Sequence, residues 1–244
     1  MNKFENLGLS NPILTAIEKL GFEEPTKIQE KSIPSIIKGQ DVIGESETGS
    51  GKTLAFGCGI VEHVCPGEGL QALVLTPTRE LAEQVKDSLK KIAINKRMRI
   101  TAIYGGVAIG PQIDELSRTD VVVGTPGRLL DHMQRRTIDT SKVKILVLDE
   151  ADRMFDMGFI DDVERIIRQC PRKRQALFFS ATISPRVKNL ANKHMENPLL
   201  VHGEKQVDPS KLKQIYYDIA RNQKLSLLIH LFKQEKAGLI MVFC

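Results

Sequence analysis

Short apolar runs alternate with amphipathic stretches along most of the chain. Seven runs read as strands: Asp41–Glu45, Gln71–Thr76, Ile100–Tyr104, Asp120–Gly124, Val143–Asp149, Ala176–Ser180 and Pro198–His202. Between them lie helical patterns such as Thr78–Ile94 and Phe159–Gln169. Several of the runs are almost continuously apolar and do not alternate, as parallel strands covered on both faces do. Strand–helix alternation at this spacing predicts an α/β fold, a mainly parallel sheet with helices on both faces. In such sheets ligands bind beyond the carboxyl ends of the strands.

The pattern breaks after residue 202. The stretch 203–210 is polar, contains Gly203 and Pro209, has no periodicity, and reads as a linker. A strand over Gln214–Ala220, a helix over Asn222–Lys233 and a strand over Gly238–Cys244 follow. Two strands and a helix make no core of their own. The expected organisation is therefore a first α/β domain over 1–202, a linker over 203–210, and the beginning of a second α/β domain over 211–244.

With 41% hydrophobic and 27% charged residues the composition is that of a globular protein. No apolar run approaches the roughly 20 residues of a membrane helix, and the start Met1-Asn2-Lys3-Phe4-Glu5 turns polar too soon for a cleaved signal. Collagen-like, disordered, membrane-spanning and disulfide-scaffold classes are excluded. The cysteines, Cys58, Cys65, Cys170 and Cys244, form no C-x-x-C pair and no framework. Free thiols point to a reducing, cytoplasmic setting. Only the group Cys58, His63 and Cys65 leaves a metal site open, and its spacing matches no usual ligand pattern. The net charge is +5, but residues 1–202 carry 28 Lys and Arg against 26 Asp and Glu, a net of +2. Residues 203–244 carry 7 against 4, a net of +3, so bulk charge does not argue for a nucleic-acid groove.

Local chemistry does. Ser46-Glu47-Thr48-Gly49-Ser50-Gly51-Lys52-Thr53 follows the first strand and opens a helix. It fits the phosphate-loop pattern G-x-x-x-x-G-K-[ST] except that Ser46 stands at the first glycine. Gly49 and Gly51 let backbone N–H groups wrap phosphate oxygens, and the helix start adds its positive end. Lys52 is placed to reach the β- and γ-phosphates and Thr53 to ligate Mg²⁺. The partner such a loop needs, an acidic residue at the end of another apolar strand, is Asp149, placed to hold Mg²⁺ directly or through water. Its neighbour Glu150 is placed to orient and deprotonate an attacking water.

With Asp149-Glu150-Ala151-Asp152 the chain resembles the DEAD-box ATP-dependent RNA helicases, through an ordered series of motifs over essentially its whole length. Phe4 and Gly21-Phe22…Pro25-Thr26…Gln29 look like the family's Q motif, within residues 2–30. The series continues with Ser46–Thr53, Pro77-Thr78-Arg79-Glu80-Leu81-Ala82, Gly105-Gly106, Thr125-Pro126-Gly127-Arg128, Asp149–Asp152 and Ser180-Ala181-Thr182. The resemblance implies a RecA-like P-loop domain that binds ATP and Mg²⁺. It implies that Gln29 reads the adenine edge with its donor–acceptor amide, that Phe22 stacks near the base, and that Thr26 supports the loop. It implies that Ser180 and Thr182 hydrogen-bond Asp152 and couple hydrolysis to strand separation.

The same resemblance builds an RNA site from Pro77, Thr78, Arg79, Gly105, Gly106, Thr125, Pro126, Gly127 and Arg128. Helix N-termini and glycine N–H groups hold phosphates without reading bases, so binding should be sequence-independent and salt-dependent. Arg79 and Arg128 either add charge to it or hold internal carboxylates. The cluster Arg172-Lys173-Arg174 reads as a solvated loop. Phe155 stands where the family often has Leu. The 244 residues carry none of the later motifs of the family's second RecA-like domain, including its γ-phosphate arginines. The intact protein is expected to couple ATP hydrolysis to local RNA unwinding, and this chain alone to bind nucleotide with little turnover. Two other readings stay open: a nucleotide-dependent binding module completed by a partner, and a related DNA helicase.

Overall fold

The computed structural model describes residues 3–203, 213, 215–234 and 239–242. The chain divides into two units, 1–206 and 207–244.

The first unit carries seven strands: β1 Val42–Glu45, β2 Ala72–Leu75, β3 Ile100–Ile103, β4 Val121–Gly124, β5 Ile145–Leu148, β6 Gln175–Ser180 and β7 Leu199–His202. Every predicted run coincides with one of them, and β6 begins one residue earlier than its run. They form one sheet in the order β3-β4-β2-β5-β6-β1-β7, and every pairing is parallel. Strands β2, β4, β5 and β6 are buried along their whole length, as continuous apolar runs require. Successive side chains alternate between two cores. Val74, Val123, Val147, Leu177 and Phe179 face one, and Leu73, Leu75, Leu146, Leu148 and Phe178 face the other.

Among the described residues of this unit nine helices cover the two faces: α1 Asn11–Lys19, α2 Lys27–Ile37, α3 Lys52–His63, α4 Arg79–Ile92, α5 Gly110–Leu116, α6 Pro126–Gln134, α7 Ala151–Asp156, α8 Ile160–Gln169 and α9 Pro185–His194. In α4 the buried positions Ala82, Val85, Leu89 and Ile92 follow the helical period, Thr78 caps the N-terminus by accepting from the Leu81 N–H, and Lys90 and Lys91 lie in the last turn. Helix α3 is buried almost all round. Its Gly57 and Gly59 admit neighbours directly: a Cβ there would lie 2.7 Å from Ile92 and 2.2 Å from Ile36. The short helical turn Lys3–Leu7 buries Phe4 and Leu7. Phe155, for all its bulk, is accommodated in the core.

In the second unit the expected helix is present, as a short turn Arg221–Gln223 and α10 Lys224–Gln234. The expected strands are not: residues 215–220 and 239–242 carry no strand. Apolar alternation marks a strand only where a neighbouring strand takes up its backbone hydrogen bonds. Residues 204–210 of the predicted linker, Gln214, and 238, 243 and 244 of the last predicted strand lie outside the described residues.

Candidate nucleotide and nucleic-acid site

The strand order divides the carboxyl edge of the sheet into two halves. On the β5-β6-β1 side lie the ends that carry Asp149, Ser180 and the phosphate loop. On the β3-β4-β2 side lie the ends that carry Gly105-Gly106, Thr125–Arg128 and Pro77–Arg79.

The phosphate loop is held from three directions. Its first residue, Ser46, is pinned to β6 by its N–H on the Ser180 carbonyl at 2.9 Å. The Ser46 and Ser50 hydroxyls share a 2.7 Å hydrogen bond, so the serine at the loop's first position closes the turn with its side chain. Lys52 is buried and donates from Nζ to the Ser46 carbonyl at 3.0 Å, back across the loop. Gly49 and Gly51 take φ of 82° and 92°, a region costly for any other residue. The start of α2 supplies the third support. Thr26 Oγ1 donates to the Ser50 carbonyl at 2.8 Å, and Gln29 Nε2 donates to the Gly51 carbonyl at 3.0 Å.

Gln29 is only 3% exposed. Its Oε1 accepts from the Thr26 N–H at 2.9 Å, the reach-back half of a capping box. Both ends of its amide are thus engaged inside the protein, one hydrogen and one lone pair remaining. Phe22 lies 44% exposed nearby in the sequence, and Pro25, Thr26, Gly49 and Ser50 line a cavity of about 410 Å³ between the Q-motif segment and the phosphate loop.

Asp149 follows β5 and is 2% exposed. Burial pushes its carboxyl up to about 6, with the Lys52 charge pulling the other way and Glu150 adding to the rise. A buried carboxylate beside one cation is suited to a second. Among the described residues no group of three or more His, Cys, Asp and Glu is arranged for a metal, so a metal here would take Asp149 and Thr53 and fill its shell with phosphate and water oxygens. Magnesium prefers that kind of site. Glu150 sits in the left-handed region at φ 53°, a strained conformation of the kind that clusters at functional sites. Its Oε1 accepts from Thr48 at 3.1 Å and its Oε2 from Arg153 at 3.1 Å.

Thr182 donates to Asp152 Oδ2 from both its N–H and its hydroxyl, each at 2.9 Å. Ser180 is fully buried, and its Oγ accepts from the Asp152 N–H at 3.1 Å. Burial acts to raise the Asp152 carboxyl, but the Ser180 and Thr182 hydrogen bonds prevail and hold it below its usual value.

On the other half, Arg79 lies over the Tyr104 ring at 4.9 Å. Arg128 donates from Nη1 to Gln112 Oε1 at 3.0 Å and from Nη2 to the Val107 carbonyl at 2.9 Å. Neither arginine holds the internal carboxylate expected as one option. Pro77 and Pro126 are buried, while Gly105, Gly106 and Gly127 are exposed with open space around them. Three supporting residues escaped the sequence reading: Arg153 on Glu150, Tyr104 beneath Arg79, and Gln112 behind Arg128. Only Arg153 had a signal, three residues from Glu150 on a short helix.

Residues 26–190 match the family model described as DEAD/DEAH box helicase. The chain is 44% identical over its whole length to the DEAD-box ATP-dependent RNA helicase CshA of Geobacillus kaustophilus, of which it covers 53%. It is 43% identical to a probable ATP-dependent RNA helicase of Methanocaldococcus jannaschii, over 99% of this chain and 65% of that one. It thus spans about half to two thirds of the length of these relatives. Among solved structures, a DEAD box protein from Methanococcus jannaschii superposes with a TM-score of 0.81 at 42% identity, over 95% of this chain and 63% of that one. A hypothetical ATP-dependent RNA helicase from Sulfolobus tokodaii gives 0.74 at 37%, over 80% and 57%. The parallel RecA-like sheet, the phosphate loop facing an acidic strand end, and this similarity agree: the chain belongs to the DEAD/DEAH box helicase family.

Proposed function

We propose that this chain is the nucleotide-handling half of an ATP-dependent RNA helicase, which couples Mg-ATP hydrolysis to RNA binding and local duplex opening in the intact protein. The observation that carries the reading is the convergence at one sheet edge of buried Lys52, buried Asp149 and Glu150 in strained backbone.

In this reading the loop N–H groups from Gly49 to Thr53 and the start of α3 wrap the phosphates. Lys52 exchanges its bond to the Ser46 carbonyl for β- and γ-phosphate oxygens. Gln29 turns its remaining donor and acceptor to adenine, and Phe22 covers the base. Magnesium, held by Asp149 and Thr53, supplies positive charge across the phosphates. Glu150 takes the proton of the attacking water, which requires Oε2 to give up the Arg153 ion pair; Arg153 is 58% exposed and free to swing away. Thr182 and Ser180, fastened to Asp152, carry the change at the acidic strand end along β6. RNA lies on the β3-β4-β2 edge, its backbone met by the exposed glycines and the starts of α4 and α6. The protein acts in the cytoplasm, a reading supported by the free thiols of Cys58, Cys65 and Cys170.

Residues 1–202 are the first RecA-like domain and 211–244 the opening of a second. The γ-phosphate arginines implied by the family lie outside these 244 residues, and such a group is worth roughly 10³–10⁵ in rate. The test is ATP turnover by this chain with and without single-stranded RNA, beside Glu150→Gln. Turnover at the level of the Glu150→Gln control, with Mg-ADP still bound, is expected. RNA-stimulated turnover that the substitution abolishes would overturn the half-enzyme reading.

A further inference from the structure

At the amino end of the sheet lies a cavity of about 1100 Å³. Its walls are the turn before β1, the starts of β5 and β6, and the ends of α8 and α9. Gln175 opens β6 on this cavity and Ser180 closes the strand at the phosphate-loop edge. Five strand steps, about 17 Å, separate them.

Five buried side-chain atoms among the described residues have no hydrogen-bond partner within the protein, and all belong to residues lining this cavity. Two are Nε and Nη2 of Arg174, while its Nη1 is fixed on the Pro171 carbonyl at 2.8 Å. The unpaired pair is the side-on fork of the guanidinium, the edge that takes two oxygens of one phosphate or carboxylate. The third is Oε1 of Gln175, 7% exposed. That amide cannot be reversed, because its Nε2 donates to the Ile36 and Gln40 carbonyls at 2.9 and 2.8 Å; its oxygen therefore calls for a donor. The last two are Nε2 of His63 and of His194.

Charge points the same way. Lys144, Arg172, Lys173 and Lys193 also line the cavity. Opposing them are Glu196 and Asp41, the latter with its two oxygens taken by the Ala176 and Glu196 N–H groups at 2.7 Å each. Arg174 forms no ion pair among the described residues, and burial lowers its pKa, with Cys170 and Asp41 acting against that. Glu164 is engaged with Arg168 and Lys193 and lies 3.8 Å from His194 Nε2. An unpaired buried guanidinium is costly, and a dianion would relieve that cost.

We propose that this cavity is a second ligand site, separate from the ATP edge, for a small phosphate monoester bearing hydroxyl groups, of the sugar-phosphate class. On binding, the Arg174 fork, covered in the free chain, turns into the cavity to take the phosphate, the rim lysines and Arg172 meet its second charge, and Gln175 Oε1, likewise covered, accepts from a hydroxyl. The volume suits a compact organic ligand with its hydration.

The test is titration of the 244-residue chain at constant pH with glucose 6-phosphate, reading the ring resonances of His63 and His194, with and without saturating Mg-ADP. A saturable shift at both histidines is expected, unchanged by Mg-ADP. It should weaken roughly tenfold in Arg174→Gln, a loss typical of a charge-assisted pair. The exposed Lys193→Ala keeps the question answerable if Arg174→Gln fails to fold; it should weaken binding about threefold. Glucose should not bind, and inorganic phosphate should bind more weakly than the ester. Absence of a saturable shift, or affinity indifferent to both substitutions, would overturn the site. Phosphate binding as tightly as the ester would overturn the role of Gln175. Shifts produced by single-stranded RNA or an acidic peptide but not by the ester would overturn the small-ligand assignment.

Discussion

Asp149 is a carboxylate kept from water, and its chemistry follows from that. Its pKa is raised to about 6, so the protonated form favours the folded chain at low pH, and this contribution is lost as pH rises through about 6. At neutral pH the ionised group is a burden on the nucleotide-free protein. Asp149→Asn should therefore melt higher than the parent at pH 7.5, by the equivalent of about 1–3 kcal/mol, and show no such gain at pH 4 in the same calorimetric scan. Mg-nucleotide binding by the parent should weaken below pH about 6, where a proton competes for the carboxylate; Asp149→Asn should lose that pH dependence. Gly51 is constrained differently: its φ is 92°, and a Cβ would meet Gln29 Nε2 at 2.2 Å. Gly51→Ala should cost about 1–3 kcal/mol in urea unfolding and lower ADP affinity in equilibrium titration. At this scale Lys52, Asp149 and Gln29 were legible as candidates, since they stand at recognisable spacings. The sequence was silent on their partners. That Gln29 binds Gly51, or that Gln112 backs Arg128, depends on where two separate segments meet.

Among the elements, the loop after β3 shows how an arginine that reads as a phosphate contact can serve as a strut. Arg128, near the start of α6, holds the Val107 carbonyl and Gln112, and Gln112 in turn bonds the Tyr104 carbonyl and His132. Arg128→Ala should leave ADP affinity unchanged, speed amide exchange over residues 105–110, and cost about 1–2 kcal/mol of stability. Unchanged exchange there would show that the strut is not needed. The strands of the first unit were legible because burial on both faces leaves continuous apolar runs. Except in β6, read one residue short, they were read one or two residues long at an end, because flanking residues such as Asp41, Gln71 and Asp149 lie outside the ladder. The strand expected over 214–220 had the right composition, but its described residues 215–220 carry no strand pairing.

For the molecule as a whole, the decisive feature is that all seven strands run the same way. The strand-end loops of the motif series then emerge on one edge, and the order β3-β4-β2-β5-β6-β1 sorts those loops into two adjoining fields. Fold class was readable from strand–helix alternation, but this sorting was not, because strand order leaves no periodic trace in a sequence. RNA bound on the β3-β4-β2 field through a few phosphates should show an affinity that falls with salt at a log–log slope of about −2, near −0.7 per phosphate for single strands. It should be indifferent to base sequence in a fluorescence-anisotropy titration, and a strong sequence preference would count against backbone recognition.

The double engagement of Gln29, on Thr26 at one end of its amide and on Gly51 at the other, bears on how this chain can change. In the proposed reading Gln29 also faces the base, so a substitution toward a new base preference would also loosen the loop beneath. On that reading altered nucleotide choice and a sound loop are inherited together or lost together, and a lineage acquiring a different nucleotide would first need another brace for Gly51.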